Sequence, residues 1–471
     1  MGARRPRRPD RRGGRRAGRD ARPGPGADPP GHPEPQAGAR AARRLLGPGR
    51  RDRARRPDVV PGQEGPRGLG HEPVQAAGAG AVTRRGPLHG ARVLDLSTTF
   101  SGPYCTRQLA DLGAAVLKVE APGGDVTRNL GTIARPGMSS VYASANRDKA
   151  TVLIDLKSAG GRQEMRRLLA RADVLVHNMR PAAAERLGIG PDAALGINPR
   201  LVHVAITGYG SDGPDAGRPA YDDTIQAASG LSWLQSMHSE DPAYLATPLA
   251  DKVAGMSAAQ AVLAGLLHRE RTGEGQAVEV PMFETLAGFA LMEQWGGRAF
   301  SPSLGDTGYR RMRSPYRRPY RTRDGVVSVV VYHDGHWRRF FDLIGEPEVL
   351  EDERFATPAA RNEHIDDLYA LLERRMAERS TSEWLKALDD ADIPAAAVRS
   401  LDDLFDDEHL TAVDFFQEVE DARGERYVAT RAPWRFSRTP VADPRDRPGP
   451  MLPDEGRGAA LEAWLEGSEE R

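Results

Sequence analysis

Short apolar runs alternate with longer amphipathic stretches between about residue 88 and residue 290. The short runs are rich in Val, Leu and Ile, as buried strands are, and the longer stretches have the apolar spacing of helices. Strands that alternate with helices indicate a parallel sheet with crossover connections. The predicted strands are 91–97, 114–120, 149–156, 173–178, 201–207 and 276–282. Helices are predicted over 102–113, 158–172 and 248–273. The third helix is expected to be buried and to end at Gly273.

A second pattern begins at about residue 325 and predicts a smaller α+β domain. A strand is predicted over 325–332, an amphipathic helix over 334–345, and mostly helix over 362–391. A strand over 424–430 is expected to return the chain to the larger domain. The expected divisions are an extension (1–87), a large domain (88–300), a linker (301–324), a small domain (325–410) and a return segment with a C-terminal tail (411–471).

The first 85 residues differ sharply in composition from the rest of the chain. They contain 21 Arg, no Lys and eight acidic residues, and therefore carry a formal charge of about +13. With so few apolar side chains they cannot offset the entropy of folding, and we expect them to be disordered. Three origins are open: a disordered tail, upstream DNA of a GC-rich genome read from a misplaced start site, or an arm that binds nucleic acid. The last lacks the aromatic residues that stack on bases.

Several common kinds of chemistry find no support in the sequence. The phosphate-loop, zinc-protease, serine-esterase and Cys-pair motifs are absent. A GxGxxG pattern occurs at 208–213, but Pro214, Gly217 and Pro219 prevent the helix that a dinucleotide site needs. The single cysteine, Cys105, suits a reducing cytoplasm and excludes an internal disulfide. No apolar run is long enough for a membrane helix, and we expect no metal.

Small and polar residues follow four of the predicted strands. In an open parallel sheet, ligands bind at this carboxyl edge. The four segments are 97–102, 120–125, 177–181 and 207–213. Cations occur nearby, and three of them are among the only five lysines of the chain, so together they suggest a ligand that carries phosphate, although each alone could be a surface charge. These cations are Lys118, Lys149, Lys157, Arg147 and Arg186.

Asp251 lies near the start of a predicted helix that is otherwise small and apolar. It could simply complement the helix dipole, which is a common structural role. The same position would also keep a carboxylate ionised in a closed site, as nucleophilic catalysis by an aspartate requires.

Five segments in this order resemble the class III CoA-transferases, the formyl-CoA transferase and carnitine CoA-transferase family. The resemblance covers about residues 88–440. The segments are VLDLSTTFSGPYCTRQLADLGAAVLKVEAPGGD, IDLKSAGG, ADVLVHNMRPAAAERLGIG, INPRLVHVAITGYGSDGP and PLADKVAGMSAAQAVLAGLLHRERTGEGQAVEV. It implies a Rossmann-like large domain, a small α+β domain and an interlocked homodimer. By position, Asp251 matches the nucleophile. The implied CoA contacts are Phe100, Ser101, Ile154, Asp155, Leu156, Lys157, Asn178, Met179, Arg180, Arg186 and Tyr221.

The resemblance also implies a reaction. CoA would pass from an acyl-CoA to a small carboxylic acid through an aspartyl anhydride and an aspartyl-CoA thioester, with no permanently bound cofactor and no membrane or nucleic-acid partner. The same fold carries 2-methylacyl-CoA racemases, in which a histidine precedes the Asp of an RxGHD-type segment. Tyr221 replaces that histidine here, in RPAYDD, which favours the transferase because tyrosine is a poor acid–base group at neutral pH.

The chain departs from the family pattern at three places. Ala121 replaces an arginine found in one branch. An arginine-rich segment, 308–325, occupies the region of the glycine-rich loop that shields the intermediates in formyl-CoA transferase, and LPDEGRG (452–458) replaces the usual Gly-Glu-His-Thr segment. The arginine-rich segment could meet an acceptor carboxylate or the CoA phosphates, or be a solvated loop.

Overall fold

The computed structural model describes residues 86–239, 241–421, 423–441, 443–447 and 449–466. Apart from Gly86 and Pro87, the predicted extension 1–87 lies outside these ranges. The first part of the described chain contains, in order, β1 (Arg92–Asp95), α1 (Ser101–Asp111), β2 (Ala115–Glu120), β3 (Ile133–Arg135), β4 (Met138–Ser139), α2 (Ser140–Asn146), β5 (Lys149–Leu153), α3 (Ala159–Leu169), β6 (Val174–His177), α4 (Pro181–Leu187), α5 (Pro191–Ile197), β7 (Val202–Thr207), α6 (Asp222–Ala228), α7 (Leu231–Gln235), α8 (Leu249–Thr272), β8 (Gln276–Pro281) and α9 (Met282–Leu291).

Six of these strands form a parallel sheet in the order β5-β2-β1-β6-β7-β8. The parallel α/β sheet expected from the sequence is therefore confirmed. Counted along the chain, this is the 3-2-1-4-5-6 order of a doubly wound sheet. The order reverses at β1, which lies between β2 and β6. Such a reversal leaves a crevice between the loops that follow the two central strands, and ligands bind there.

Apolar side chains cover both faces of the sheet. On one face Val93 and Val202 pack against α1 and α8, whose small residues allow close approach. A Cβ on Gly265 of α8 would lie only 2.6 Å from the Val202 side chain. On the other face Leu94 and Leu117 pack against α3 and a helix from the end of the chain. Consecutive strand residues point to opposite faces, so a strand covered on both sides is apolar throughout.

Helix α8 is confirmed, and Gly273 caps it in the left-handed conformation with φ +83°. It is not buried all round, as the sequence analysis expected. Its small residues face the sheet, whereas Met256, Leu263 and Leu267 are exposed. The other large apolar side chains exposed nearby in the chain are Phe289, Met292 and Trp295.

The rest of the chain contains a second sheet and a hairpin. Its elements are α10 (Arg310–Arg313), β9 (Tyr320–Arg321), β10 (Val326–Val329), α11 (Asp334–Ile344), α12 (Pro358–Glu363), α13 (Ile365–Met376), α14 (Thr381–Asp390), β11 (Ala395–Ala397), α15 (Glu408–Ala412), β12 (Phe416–Glu420), β13 (Arg426–Thr430) and α16 (Arg457–Glu466).

The second sheet is antiparallel, in the order β11-β10-β9, and has its own apolar core. Trp337 and Trp384 are buried in that core. The segment expected to be a linker, 301–324, contains α10 and β9. Strand β9 forms because Tyr320 pairs with Val327 and is buried.

Helix α16 returns to the first sheet. Trp464 is buried with Leu94 and Leu168 on the face that α3 covers. Arg457 donates to both carboxylate oxygens of Glu164 in α3, at 2.8 Å each. Within the described residues, no helix combines the length and hydrophobicity that crossing a bilayer would require.

Candidate active site

A pocket of about 200 Å³ opens at the carboxyl edge of the first sheet, where the strand order reverses. Its walls are the loops after β1, β6 and β7 and the beginnings of α6 and α8. The polar and charged side chains that line it are Thr98, Thr99, Ser101, Asn178, Arg180, Thr207, Arg218, Tyr221 and Asp251.

Asn178 joins the two loops on either side of the crevice. Its Oδ1 accepts a hydrogen bond from the Thr98 amide at 3.0 Å, and its Nδ2 donates to the Thr98 carbonyl at 2.8 Å. The same Nδ2 lies 3.4 Å from the Ser101 hydroxyl. An amide side chain can do this because it offers both a donor and an acceptor. The loop after β1 is thereby held in register with the loop after β6.

Asp251 lies in the first turn of α8, half-buried, with its side chain lining the pocket. Burial, and secondly the charge of Asp222, raise the pKa of Asp251 to about 7, although a hydrogen bond from Ser101 lowers it in part. The expectation that the helix start keeps this carboxyl group ionised is therefore wrong in part, because burial outweighs the helix N-terminus and leaves the group only partly ionised at neutral pH. As a carboxylate it is a stronger base and nucleophile than an ordinary aspartate.

Asp222 contacts Asp251, and the sequence analysis did not single it out. Its Oδ1 accepts the Asp251 amide at 3.0 Å, and its Oδ2 accepts from Gln226 at 2.6 Å. Gln226 in turn accepts the Leu245 amide at 3.0 Å. The sequence did contain a signal for this contact, because an Asp and a Gln four residues apart at the start of a helix can hydrogen-bond to each other. The pair fixes the approach of the chain to α8 and therefore the position of Asp251.

Four backbone amides at the start of α1 have no acceptor among the described residues. They belong to the consecutive residues Thr99 to Gly102, and the helix has no side-chain N-cap. At the start of α8 the amides of Leu249, Asp251 and Lys252 donate to protein oxygens. The Ala250 amide has no acceptor among the described residues, but Ala250 is buried and does not line the pocket. Of the residues with unpaired amides, Thr99 and Ser101 line the pocket, so their amides are placed to receive a negative oxygen there.

The predicted site residues separate into two groups. Six line the one pocket: Ser101, Asn178, Met179, Arg180, Tyr221 and Asp251. The other six lie outside it: Phe100, Ile154, Asp155, Leu156, Lys157 and Arg186. Residues 154–157 follow β5, at the same carboxyl edge but two strands from β1. Ile154 and Leu156 are buried, whereas Asp155, Lys157 and Arg186 are exposed.

The expectation that Lys118, Lys149 and Arg147 contact a ligand phosphate is wrong. All three are buried and paired with protein carboxylates. Lys118 and Lys149 are fully buried: Lys118 lies in β2, inside the sheet, and Lys149 begins the edge strand β5 and reaches Asp95 of β1. Of the predicted cations only Lys157 and Arg186 face solvent.

In the GxGxxG loop after β7, two amides that a dinucleotide would need are already hydrogen-bonded to glutamate side chains. The Gly210 amide donates to Glu284 at 2.9 Å and the Ser211 amide to Glu279 at 3.1 Å. Two carboxylates at this loop also repel a pyrophosphate. Across the described ranges, no cluster of three or more His, Cys, Asp or Glu side chains is arranged to hold a metal ion.

Comparison with known proteins places this geometry in a family. The family model for CoA-transferase family III matches residues 88–454. A protein of Mycobacterium tuberculosis named "Probable fatty acyl-CoA transferase Rv3272" is 34% identical over 373 residues, 76% of this chain and 94% of that protein. A succinate–glutarate CoA-transferase of Agrobacterium fabrum is 30% identical over 380 residues, 78% of this chain and 94% of that protein.

Solved structures agree. The crystal structure of a CaiB/BaiF family protein from Brucella suis superposes with a TM-score of 0.68 at 31% identity, covering 81% of this chain and all of that one. The structure of the M. tuberculosis protein in an orthorhombic crystal form superposes with a TM-score of 0.67 at 32% identity, covering 80% of this chain and 98% of that one. The chain is an enzyme that belongs to CoA-transferase family III.

Proposed function

We propose that this enzyme transfers CoA from an acyl-CoA thioester to a free carboxylic acid, with Asp251 as the covalent nucleophile. One observation carries the proposal: the half-buried Asp251 carboxyl group lines the crevice at β1, together with Ser101 and the unpaired amides of α1. A nucleophile and a set of donors for the developing oxyanion are the two components that acyl transfer needs.

The reaction proceeds by exchange at carbonyl carbons. The Asp251 carboxylate attacks the thioester, the C–S bond breaks, and an acyl-aspartyl anhydride and CoA thiolate form. The thiolate attacks the aspartyl carbonyl, which releases the first acid as a carboxylate and leaves an aspartyl-CoA thioester. The acceptor carboxylate attacks that thioester to give a new anhydride and thiolate. Attack of the thiolate on the acceptor's carbonyl then yields the new acyl-CoA and regenerates Asp251. No electron or net proton is transferred.

The amides of Thr99 to Gly102 supply the stabilisation that the tetrahedral oxyanions need. They lie at the positive end of an eleven-residue helix, beside the hydroxyl group that hydrogen-bonds Asp251. Removing one such donor from an acyl-transfer site commonly lowers kcat by about 10²–10³.

The long CoA molecule lies along the carboxyl edge, from the crevice toward β5. Strands β1 and β5 are two steps apart, or about 10 Å, so a ligand in the crevice can extend to residues 154–157. Arg180, Arg186 and Lys157 are exposed and have no ion-pair partner among the described residues. They are the cations available to the CoA phosphates, and Phe100 and Tyr221 flank the crevice.

The acceptor is a short carboxylic acid. The pocket beside Asp251 holds about 200 Å³, and relatives are named for succinate, glutarate and oxalate. The M. tuberculosis relative is named for fatty acyl groups. A substrate panel should therefore contain short dicarboxylates and fatty acids.

The enzyme acts as a homodimer. Helix α8 exposes Met256, Leu263 and Leu267 along one side, and Phe289 and Met292 of the following segment are exposed as well. Large exposed apolar areas mark protein interfaces. Light scattering should give twice the chain mass, and a monomer at micromolar concentration would contradict this part of the proposal.

The racemase alternative requires a second acid–base group at the crevice. Tyr221 occupies the relevant position and is 73% exposed. Asp222 is committed to the Asp251 amide and to Gln226. Both observations favour the transferase. Incorporation of deuterium at the α-carbon of a 2-methylacyl-CoA in heavy water, without CoA exchange, would reverse that conclusion.

The decisive test is Asp251→Asn, compared with Asp223→Asn, which changes an exposed carboxylate one residue from Asp222. CoA exchange between a labelled acid and an acyl-CoA should fall by at least about 10³-fold in the first variant and stay unchanged in the second. In the presence of an acyl-CoA, hydroxylamine should attack the aspartyl carbonyl of the intermediate, release the bound acid or CoA, and leave Asp251 of the unsubstituted enzyme as a hydroxamate that peptide mass spectrometry detects. Full exchange activity in Asp251→Asn would refute the proposed nucleophile.

A further inference from the structure

Four charged side chains form a buried cluster directly behind the β1–α1 loop. Asp95, Lys118 and Lys149 are fully buried, and Asp125 is nearly so. Lys149 donates to Asp95 at 3.0 Å, and the Lys118 ammonium nitrogen forms an ion pair with an Asp125 carboxylate oxygen 3.0 Å away. The cluster is electrically neutral, and none of its members lines the pocket.

Both ends of the β1–α1 loop are hydrogen-bonded to this cluster. The Lys118 ammonium group donates to the Ser97 carbonyl at 2.8 Å, and the Lys149 ammonium group donates to the Pro103 carbonyl at 3.0 Å. Asp95 accepts the Ser97 amide at 3.0 Å and the Thr106 hydroxyl at 2.6 Å. The five residues between Ser97 and Pro103 are therefore fixed at both sides by groups that touch no ligand.

The loop itself is held in a tight and partly strained conformation. Thr99 has φ +70°, which costs a β-branched residue free energy. A Cβ on Gly102 would lie 2.1 Å from the Ser97 side chain, so the loop folds back on itself with no spare room. Strain of this kind persists only where the surroundings impose it. The buried cluster is the part of the surroundings that can do so.

Stability alone does not account for two buried ion pairs. Taking charges out of water costs about as much as their attraction returns, and apolar residues of similar volume are often as stable or more so. Apart from these lysines, Glu120 and Thr151, the residues of the two strands are apolar. The ammonium groups provide something that apolar residues cannot, namely several directed donors for backbone carbonyls.

We infer that Lys118 and Lys149, with Asp95, are positioning residues that hold Ser101 and the first amides of α1 against Asp251. The inference rests on the proposed transferase reaction. Displacement of such groups by about 1 Å can reduce turnover by about 10²-fold without touching the chemistry directly. Binding of the CoA nucleotide, which lies toward β5, depends much less on this loop.

The test compares two double variants. Each removes both members of one buried ion pair near the first sheet, so neither variant leaves an unpaired buried charge. Lys118→Met with Asp125→Asn removes the support of Ser97. Arg269→Met with Asp173→Asn removes a pair of 2.8 Å at the opposite, amino-terminal edge. The first should lower kcat by about 30–100-fold with KM for acyl-CoA changed by less than threefold, and the second should leave kcat unchanged. Equal kcat values in the two would overturn the inference.

Milder variants decide the matter if the first double variant does not fold. Ser97→Ala and Thr106→Val each delete one hydroxyl that donates to Asp95. Each should lower kcat about 3–10-fold, in proportion to faster amide hydrogen exchange in residues 104–112, whose amides bond within α1, measured by mass spectrometry. Unchanged turnover and exchange in both would overturn the inference. The hydrogen-exchange measurement needs no substrate, so it distinguishes failure of the positioning role from failure of the transferase proposal.

Discussion

At the scale of single residues, the environment of Asp251 predicts the pH dependence of the enzyme. The pKa of Asp251 is raised to about 7, first by burial and then by Asp222. Since attack requires the carboxylate, kcat/KM should increase about tenfold per pH unit below pH 7 and level off above it.

Asp222→Asn should move that midpoint to lower pH, because it removes a neighbouring negative charge while an amide oxygen can still accept the Asp251 amide. Stopped assays over pH 5 to 9 would measure both profiles, with Asp223→Asn as the control. A flat profile for the unsubstituted enzyme between pH 5 and 8 would contradict the role of Asp251.

Residue roles could be predicted from the sequence only in part. The segment PLAD identified Asp251, because the resemblance to a family of known chemistry gave its position meaning. Lys118 and Lys149 were misassigned although each stands inside a predicted strand of a two-sided sheet. A lysine in such a strand is buried and must find internal partners. Which carboxylates and carbonyls it finds depends on the tertiary fold, and local sequence does not contain that information.

At the scale of elements, α8 depends on two glycines that have different neighbours. A Cβ on Gly255 would lie 2.5 Å from the Ser101 carbonyl oxygen of α1, and one on Gly265 would lie 2.6 Å from the Val202 side chain of β7. Both alanine variants should lose about 1–3 kcal/mol of unfolding free energy through overpacking.

Only Gly255→Ala should also lose activity, by about tenfold or more, because it pushes α1 and its amides away from Asp251. Denaturant titration and steady-state kinetics of the two variants separate the effects. Equal kcat values in Gly255→Ala and Gly265→Ala would show that the α1–α8 spacing does not matter for turnover.

The elements themselves were largely predictable, and their ends were not. The alternation of apolar runs with helices placed all six strands of the first sheet. The first strand was expected to run from 91 to 97, but β1 ends at Asp95, because Ser97 is turned into the buried cluster. Short β9 was missed because two paired residues leave no periodicity to detect.

At the scale of the whole molecule, the first 85 residues should be dispensable for catalysis. The family match begins at residue 88, and their composition favours no packed core. A chain of residues 86–471 should keep its kcat/KM within about twofold and its melting temperature, since it retains every described residue of the pocket and of the cores. If the full chain binds duplex DNA with an affinity that falls steeply with salt, and the shortened chain does not bind it, the first 85 residues act as a nucleic-acid-binding arm.

The apolar core on one face of the sheet should depend strongly on α16. Trp464→Ala should cost about 3–4 kcal/mol, because a large ring is lost from contact with Leu94 and Leu168. Arg457→Ala, which removes part-exposed bonds to Glu164, Asp454 and the Leu153 carbonyl, should cost less, about 1–2 kcal/mol. Urea unfolding monitored by circular dichroism would measure both. Equal losses would mean that α16 is held mainly by its charges.

The same helix has a consequence for biosynthesis. Arg457 meets Glu164 across 293 residues of chain. A ribosome adds roughly 5–20 residues per second, so roughly 15–60 seconds pass between emergence of the two partners. During that interval the part of this apolar core that α16 covers stays exposed on the growing chain. We expect the nascent enzyme to engage general chaperones until α16 arrives, and its yield to be sensitive to their supply.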